Sequence, residues 1–331
     1  MPRIKTTIKA LFSLGLILWL IKSFDWASFF KIVLAVDIKW LLPLILLAPL
    51  AVILLSFRWY VILKTLGLPL GFGAVIKGAW SGIFFNTFLP GATGGDIYRL
   101  IFVRDKYIGE EAKIASSLIV DRITGVASLG MLGLVGILVN KALLQHISLG
   151  ITDFRLITLL CVLFLLVLVG IGIWIFIFKA DSTSWLGRIK MFIIDGVIQT
   201  KLGLFNGSLL SQVIPISIVI HLVNFTGAYC LTCALGLEVP FLDLVLFIPI
   251  LSILTALPIT ISGFGIREAL LIGFFQMRDF NLGGGVALRE SALAFSFLMV
   301  TCDLFRAAPG GIWFAFGKGA KSRVMQGSHK S

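Results

Sequence analysis

The segment LPGATGGDIYR, residues 89–99, interrupts a long apolar stretch with a proline, three glycines and two charged side chains. A second segment, LPITISGFGIRE at residues 257–268, has the same L-P-x4-G-x3-R skeleton, so that Pro258 in the second half of the chain corresponds to Pro90 in the first. Proline and glycine disfavour continuous helix, so both segments predict breaks inside otherwise apolar sequence. The repetition indicates a chain built from two related halves.

The composition of the whole chain indicates an integral membrane protein. Of its 331 residues, 59% are apolar and only 13% are charged, whereas soluble domains contain about 45–50% apolar residues. The net charge of +12 comes mainly from lysines and arginines in the short loops. Such loop charges are typical of membrane proteins, so we predict no nucleic-acid partner.

Apolar runs of about 20 residues are long enough to cross the hydrocarbon core of a bilayer. We therefore predict an all-α polytopic membrane protein with about six spanning helices and two shorter apolar segments, each of which leads into one of the glycine-rich breaks. The predicted spans cover about 6–22, 40–63, 114–140, 156–178, 211–235 and 288–317, and the shorter segments cover about 74–89 and 243–257.

The distribution of lysine and arginine favours re-entrant segments over two further crossings. If both short segments turn back, most basic residues of the loops fall on one side, as the positive-inside rule expects for the cytoplasm. This places both termini in the cytoplasm and the chain in the cytoplasmic membrane. It also makes the two halves, about 1–140 and 154–317, an inverted repeat within one transmembrane domain, 1–317. The Leu-Gly-Leu triplets at 66–68 and 235–237 support the duplication.

Two segments outside the spans have their own predictions. Residues 181–207 mix apolar and basic side chains, which predicts an amphipathic segment on the inner membrane face. A simple connecting loop is the alternative. Residues 318–331 are predicted to form a basic cytoplasmic tail.

The two broken segments are the candidate substrate site. Backbone that leaves helical geometry within a bilayer must be buried in protein or line an aqueous cavity. In secondary transporters such breaks bind anionic groups, since glycine lets the backbone approach closely and arginine binds phosphate bidentately. The predicted substrate-binding residues are Asn86, Pro90, Gly94, Gly95, Asp96, Arg99, Asp121, Arg122, Pro258, Gly263, Gly265, Arg267 and Glu268.

Three further charged residues fall within predicted spans, where ionisable groups are costly and commonly functional. Arg58 lies near the inner end of its span, so it either extends its guanidinium to the interface or belongs to a site. Asp303 and Arg306 are three residues apart on one helix, a spacing that favours mutual neutralisation.

Signatures of enzymes are scarce in this chain. It contains no G-x4-G-K-[ST] phosphate loop and no G-x-S-x-G nucleophile motif. The three histidines are scattered, and Cys230 and Cys233 form a lone C-x-x-C inside an apolar run. We therefore predict no catalytic residue, no metal site and no cofactor, and a transporter is favoured over an enzyme.

The residues just described resemble the flippase-like transmembrane domain of lysylphosphatidylglycerol synthases. The resemblance extends over nearly the whole chain, and the family implies movement of a phospholipid or a lipid-linked headgroup between leaflets. In the synthases a soluble aminoacyl-transfer domain follows the membrane domain, so we do not expect lysyltransferase activity here. The resemblance is carried by Phe57-Arg58-Trp59, Phe85 to Pro90, Gly94 to Arg99, Asp121-Arg122, Leu257-Pro258 and Gly263 to Glu268.

These observations predict a lipid flippase that moves an anionic phospholipid or lipid-linked headgroup across the cytoplasmic membrane. One alternative is a membrane enzyme that acts on a lipid headgroup with a soluble partner. Another is a non-catalytic subunit that recruits a glycosyl- or aminoacyl-transferase. The expected partners are the lipid itself and, in the alternatives, that transferase.

Overall fold

The computed structural model describes residues 26–88, 94–139, 185–256, 265–277 and 288–316. Ten α-helices account for most of these ranges, and a short 3-10 turn at Ile38–Trp40 precedes the second. The helices are α1 (Trp26–Leu34), α2 (Leu42–Thr65), α3 (Phe72–Phe88), α4 (Gly94–Arg104), α5 (Glu111–Val139), α6 (Trp185–Leu204), α7 (Gly207–Ala234), α8 (Phe241–Ala256), α9 (Ile266–Met277) and α10 (Leu288–Phe316).

Four of the described helices are long and apolar enough to cross a membrane: α2, α5, α7 and α10. They correspond to the predicted spans at 40–63, 114–140, 211–235 and 288–317, and the all-α polytopic fold is confirmed. Large apolar side chains such as Ile45, Leu134 and Phe305 are exposed on these helices, as lipid-facing positions require. The predicted spans at 6–22 and 156–178 lie outside the described residues, as does the tail.

The two shorter apolar segments are helices α3 and α8, and each is followed by a second short helix. Contacts of Gly78 with Phe102 and of Asn86 with Gly95 show that α3 and α4 form an antiparallel hairpin. The sequence did not predict α4 as a helix, because Asp96, Arg99 and Arg104 give it the composition of a loop. That the hairpin is re-entrant stays a prediction.

The order long, short, short, long occurs twice, as α2–α5 and as α7–α10. The Leu-Gly-Leu triplets end the first helix of each set: Gly67 has φ +77° and Gly236 has φ +68°, a conformation that favours glycine. In both, the following leucine N–H bonds a carbonyl five residues back, at 2.9 Å, which satisfies the helix end. An inverted relation between the sets stays a prediction.

The two sets pack against each other through α2 with α7, α3 with α10 and α5 with α8. The α3–α10 contact depends on small residues: a Cβ atom added at Gly310 would lie 2.1 Å from the carbonyl oxygen of Trp80. A core around Phe225, Leu271 and Phe295 fills the second set. This packing brings residues from both sets to the buried charges described below.

The predicted amphipathic segment contains helix α6, which excludes a simple loop. Helix α6 packs on α5, where the Ser116 hydroxyl donates to the carbonyl oxygen of Gly196 at 2.9 Å. A Cβ atom at Gly203 would lie 3.0 Å from Cγ2 of Val120, so the glycine lets the Val120 side chain pack directly against α6. Whether α6 lies on the inner membrane face stays a prediction.

Candidate functional site: a buried arginine–aspartate cluster

Asp121, on α5, is the centre of a buried ionic cluster. Its Oδ1 accepts a hydrogen bond from Nε of Arg58 at 2.8 Å, and its Oδ2 accepts from both terminal nitrogens of Arg99 at 3.2 Å. The side chains of Arg58, Arg99 and Asp121 are only 7%, 8% and 4% exposed. A buried carboxylate with two guanidinium partners is compensated in charge and in hydrogen bonding, which burial demands.

Arg58 links the two sets of helices. Besides Asp121, its Nη1 donates to the hydroxyl of Ser217 on α7 at 3.0 Å. The alternative in which Arg58 extends to the membrane interface is therefore wrong, because its buried side chain points inward to a carboxylate on another helix. A Cβ atom at Gly125 would lie 3.1 Å from this guanidinium, so the glycine leaves room for it.

Trp59 fixes the position of Arg99. The guanidinium carbon of Arg99 lies 3.9 Å from the centre of the indole ring, a cation–π contact in a site without bulk water around the ring. The indole Nε1 donates to the hydroxyl of Ser117 at 3.2 Å, so the ring itself is held by α5. Arg99 is thus held between an aromatic face and a carboxylate.

The cluster becomes more exposed toward Asp96 and Arg122. Oδ2 of Asp96 lies 2.7 Å from Nη2 of Arg122, and Oδ1 lies 3.4 Å from Nη1 of Arg99. The side chains of Asp96 and Arg122 are 20% and 48% exposed, against 4% for Asp121. The three arginines and two aspartates carry a formal excess of one positive charge, and Arg122 lies at the accessible end.

Gly95, the second residue of α4, serves packing rather than an open phosphate cradle. The N–H of Gly95 donates to Oδ1 of Asn86 at 2.7 Å, so it is already used within the protein. A Cβ atom at Gly95 would lie 2.1 Å from the carbonyl oxygen of Gly82, so only glycine allows α3 and α4 to approach this closely. Gly95 therefore has a packing role in place of the predicted phosphate contact, and anion binding by the arginines stays a prediction. Gly94 is the first residue of α4.

Arg267 and Glu268 form a second, smaller cluster at the start of α9. Oε2 of Glu268 accepts from the N–H of Gly265 at 2.6 Å, as the last residue of a capping box does, and Gly265 has φ +89°. Nε of Arg267 donates to Oε1 of Glu268 at 3.2 Å and to the hydroxyl of Ser296 on α10 at 2.9 Å. Ser296 also donates to Glu268. Arg99 and Arg267, equivalent in sequence, thus both pair with carboxylates.

The remaining predicted residues divide into two groups. Pro90, Pro258 and Gly263 lie outside the described residues. Arg306 and Asp303 form an ion pair of 2.7 Å on α10, as their spacing predicts, and neither contacts Asp121.

Three further groups were not among the predicted site residues. Trp59 and Ser217 complete the first cluster, and their roles depend on contacts between distant parts of the sequence that no local pattern shows. Glu290 on α10 is buried, and its Oε2 has no hydrogen-bond partner among the described residues. The sequence does hold a signal for Glu290: it follows Arg122 by the same interval that separates Pro258 from Pro90, so it corresponds to Arg122 in the second half of the chain.

Comparisons with known proteins identify the family to which this chain is similar. The family described as "Lysylphosphatidylglycerol synthase TM region" matches residues 6–302. A UPF0104 membrane protein of Pyrococcus horikoshii is 33% identical over 135 residues, which cover 39% of this chain and 40% of that protein. The aligned region is therefore less than half of that relative's length. No solved structure gives a significant match.

Proposed function

Because the chain belongs to the family of the lysylphosphatidylglycerol synthase TM region, a multi-pass membrane family with a lipid-related role, we propose that it is a lipid flippase. Its substrate is an anionic phospholipid or a lipid-linked anionic headgroup, carried across the cytoplasmic membrane. The observation that carries the proposal is the cluster of Arg58, Arg99 and Arg122, which exceeds its two aspartates in charge and opens at Arg122.

Asp96 occupies the place that a headgroup phosphate takes in this mechanism. Its carboxylate bridges Arg122 and Arg99, and the Arg99 contact is long at 3.4 Å. The phosphodiester of a phospholipid carries its negative charge on two unesterified oxygens, as the carboxylate of Asp96 does, and arginine binds both oxygens bidentately. An entering headgroup therefore competes with Asp96 for Arg122 first, because Arg122 is the more exposed of the two arginines.

Asp121 keeps the cluster from binding the headgroup irreversibly. It neutralises the two buried arginines in part, so the entering phosphate meets guanidinium groups whose charge is already partly compensated. A site with three uncompensated arginines would bind the anion tightly and release it slowly. The paired arrangement favours both entry and release, which transport requires.

The paired short helices are the elements that move in the proposed mechanism. Displacement of Asp96, the third residue of α4, loosens the link between α4 and Arg122 of α5, while the close α3–α4 contact keeps that hairpin together. Arg267 and Glu268 receive the headgroup on the opposite side, if the two sets of helices are inverted as predicted. The acyl chains stay in the bilayer throughout. Both termini are cytoplasmic in this arrangement, and a transferase partner is not required.

A transport assay in vesicles tests this function. Protein is reconstituted with phosphatidylglycerol that carries a fluorescent acyl chain, and a membrane-impermeant reductant bleaches the label in the outer leaflet. We expect a protein-dependent loss of the protected fraction, and at least a tenfold lower rate in Arg122→Ala and Arg99→Ala. The matched control is Arg104→Ala, which removes an arginine of α4 whose partner, Glu111, lies outside the cluster.

Two results would contradict the proposal. One is a rate that is equal in vesicles with and without protein. The other is equal transport by wild type, Arg122→Ala and Arg99→Ala, which would remove the cluster from the pathway. Headgroup turnover by the purified protein without movement across the bilayer would favour the enzyme alternative.

A further inference from the structure

A groove lies between α2 and α7, separate from the ionic cluster. Its volume is about 420 Å³, within the range of about 300–1,000 Å³ that is typical of ligand sites. The helices that form it, α2 and α7, pack closely along much of their length. It is lined by Phe57, Tyr60, Val61, Lys64, Thr65 and Gln212.

The groove has an apolar side and a cationic end. The rings of Phe57 and Tyr60 are stacked with centres 6.2 Å apart, and Phe72 packs against both edge-on. Lys64, one turn further along α2, is exposed, and among the described residues that line the groove it is the single ionised side chain. Gln212 uses one amide hydrogen for the carbonyl oxygen of Ser208, which leaves the second available to a ligand.

The position of the groove along its helices matches the depth of lipid headgroups. Lys64 is the second-last residue of the spanning helix α2, and Gln212 lies in the second turn of α7. Tyrosine and lysine concentrate at this level of a membrane, with the ring at the boundary and the ammonium group among headgroups. Phe57, two turns before Lys64, lies deeper along the span.

The groove does not share side chains with the ionic cluster. Arg58 follows Phe57 in sequence but is buried against Asp121 and Ser217, whereas Phe57 and Lys64 are exposed. A ligand in the groove therefore contacts a different face of α2 from the one that faces Asp121.

We infer that this groove binds one anionic phospholipid of the adjoining leaflet. Its phosphate pairs with Lys64 and accepts a hydrogen bond from Gln212, and an acyl chain lies against Phe57 and Tyr60. Basic pockets between spanning helices on the cytoplasmic side bind anionic headgroups in the same manner. The lipid is a resident one that stabilises the junction of α2 and α7, and it is distinct from the transported lipid.

Lipid binding to the full chain tests this inference directly. Native mass spectrometry of the purified protein in detergent measures the binding of dioleoyl phosphatidylglycerol and of dioleoyl phosphatidylcholine. We expect Lys64→Gln to weaken the binding of phosphatidylglycerol about fivefold, as expected for one lysine at an anionic headgroup, and Lys64→Arg to preserve it. The matched control, Lys77→Gln, removes an exposed lysine of α3 that does not line the groove.

A second readout separates the resident lipid from the transported one. Added phosphatidylglycerol should raise the unfolding temperature of wild type and Lys64→Arg but not that of Lys64→Gln. Lys64→Gln made on an Arg122→Ala background should show the same fivefold loss, so a failure of the transport site does not affect this test. Equal loss in Lys64→Gln and Lys77→Gln, or equal binding of phosphatidylcholine and phosphatidylglycerol, would overturn the inference.

Discussion

Replacing Asp121 with asparagine tests the buried cluster most severely. Asparagine keeps the size and shape of the side chain but removes the charge that compensates Arg58 and Arg99. The two arginine side chains are 7% and 8% exposed, and they lie 2.8 Å and 3.2 Å from the carboxylate. Water therefore cannot replace the lost partner without opening the helix bundle.

The expected cost follows from the number of charges left unpaired. Removing one member of a buried ion pair destabilises a protein by about 3–5 kcal/mol, because the remaining charge stays buried. Asp96 compensates Arg99 in part at 3.4 Å, so the uncompensated charge is chiefly that of Arg58. A value in this range corresponds to a fall of about 5–10 °C in the unfolding temperature of a chain of this size.

The assay measures the unfolding temperatures of wild type and variants in detergent, with aggregation or intrinsic fluorescence as the signal. The control is Glu111→Gln, which disrupts the ion pair with Arg104 at a site where 57% of the arginine side chain is exposed. Exposed ion pairs contribute little to stability, so this variant should unfold at the same temperature as wild type. If Asp121→Asn unfolds at the same temperature as Glu111→Gln, the claim that Asp121 compensates the buried arginines is refuted.

Two further predictions concern packing and the second cluster. Gly95→Ala places a methyl group against the Gly82 carbonyl, so we expect a lower unfolding temperature and slower transport. The control is Gly73→Ala, which has no described atom within 4 Å of the new methyl and should leave both quantities unchanged. Glu290→Gln should keep or raise the unfolding temperature, because the buried Oε2 of Glu290 has no hydrogen-bond partner in the described part of the chain. Glu268→Gln should lower the unfolding temperature, because it removes the charge that compensates Arg267. Stability equal to wild type in Gly95→Ala, or a lower unfolding temperature for Glu290→Gln than for Glu268→Gln, would contradict these assignments.

The spanning helices were predictable because they depend on length and apolar content alone. Helices α2, α5, α7 and α10 lie within a few residues of the predicted bounds. The short helix α4 was not predictable in this way, because its charged residues resemble those of a loop. Its close contact with α3, through Gly95 and Gly82, joins positions that no local pattern relates.

The site was predictable in its membership but not in its geometry. The rarity of charge in apolar spans singles out Arg58, Asp121 and Arg122. Their pairing is not visible in the sequence, since Arg58 reaches Asp121 across 63 positions and Ser217 across 159. The sequence predicts a phosphate contact at Gly95, whereas the carbonyl oxygen of Gly82 explains that glycine sterically.

A structure of the protein in a bilayer of phosphatidylglycerol provides the most direct test of the central claim, that the arginine cluster receives an anionic headgroup. The account predicts density for a phosphate in contact with Arg122 and Arg99, with Asp96 displaced from its 2.7 Å contact with Arg122. Headgroup density confined to the outer faces of the bundle, with Asp96 still bound to Arg122 in the presence of saturating lipid, would contradict it.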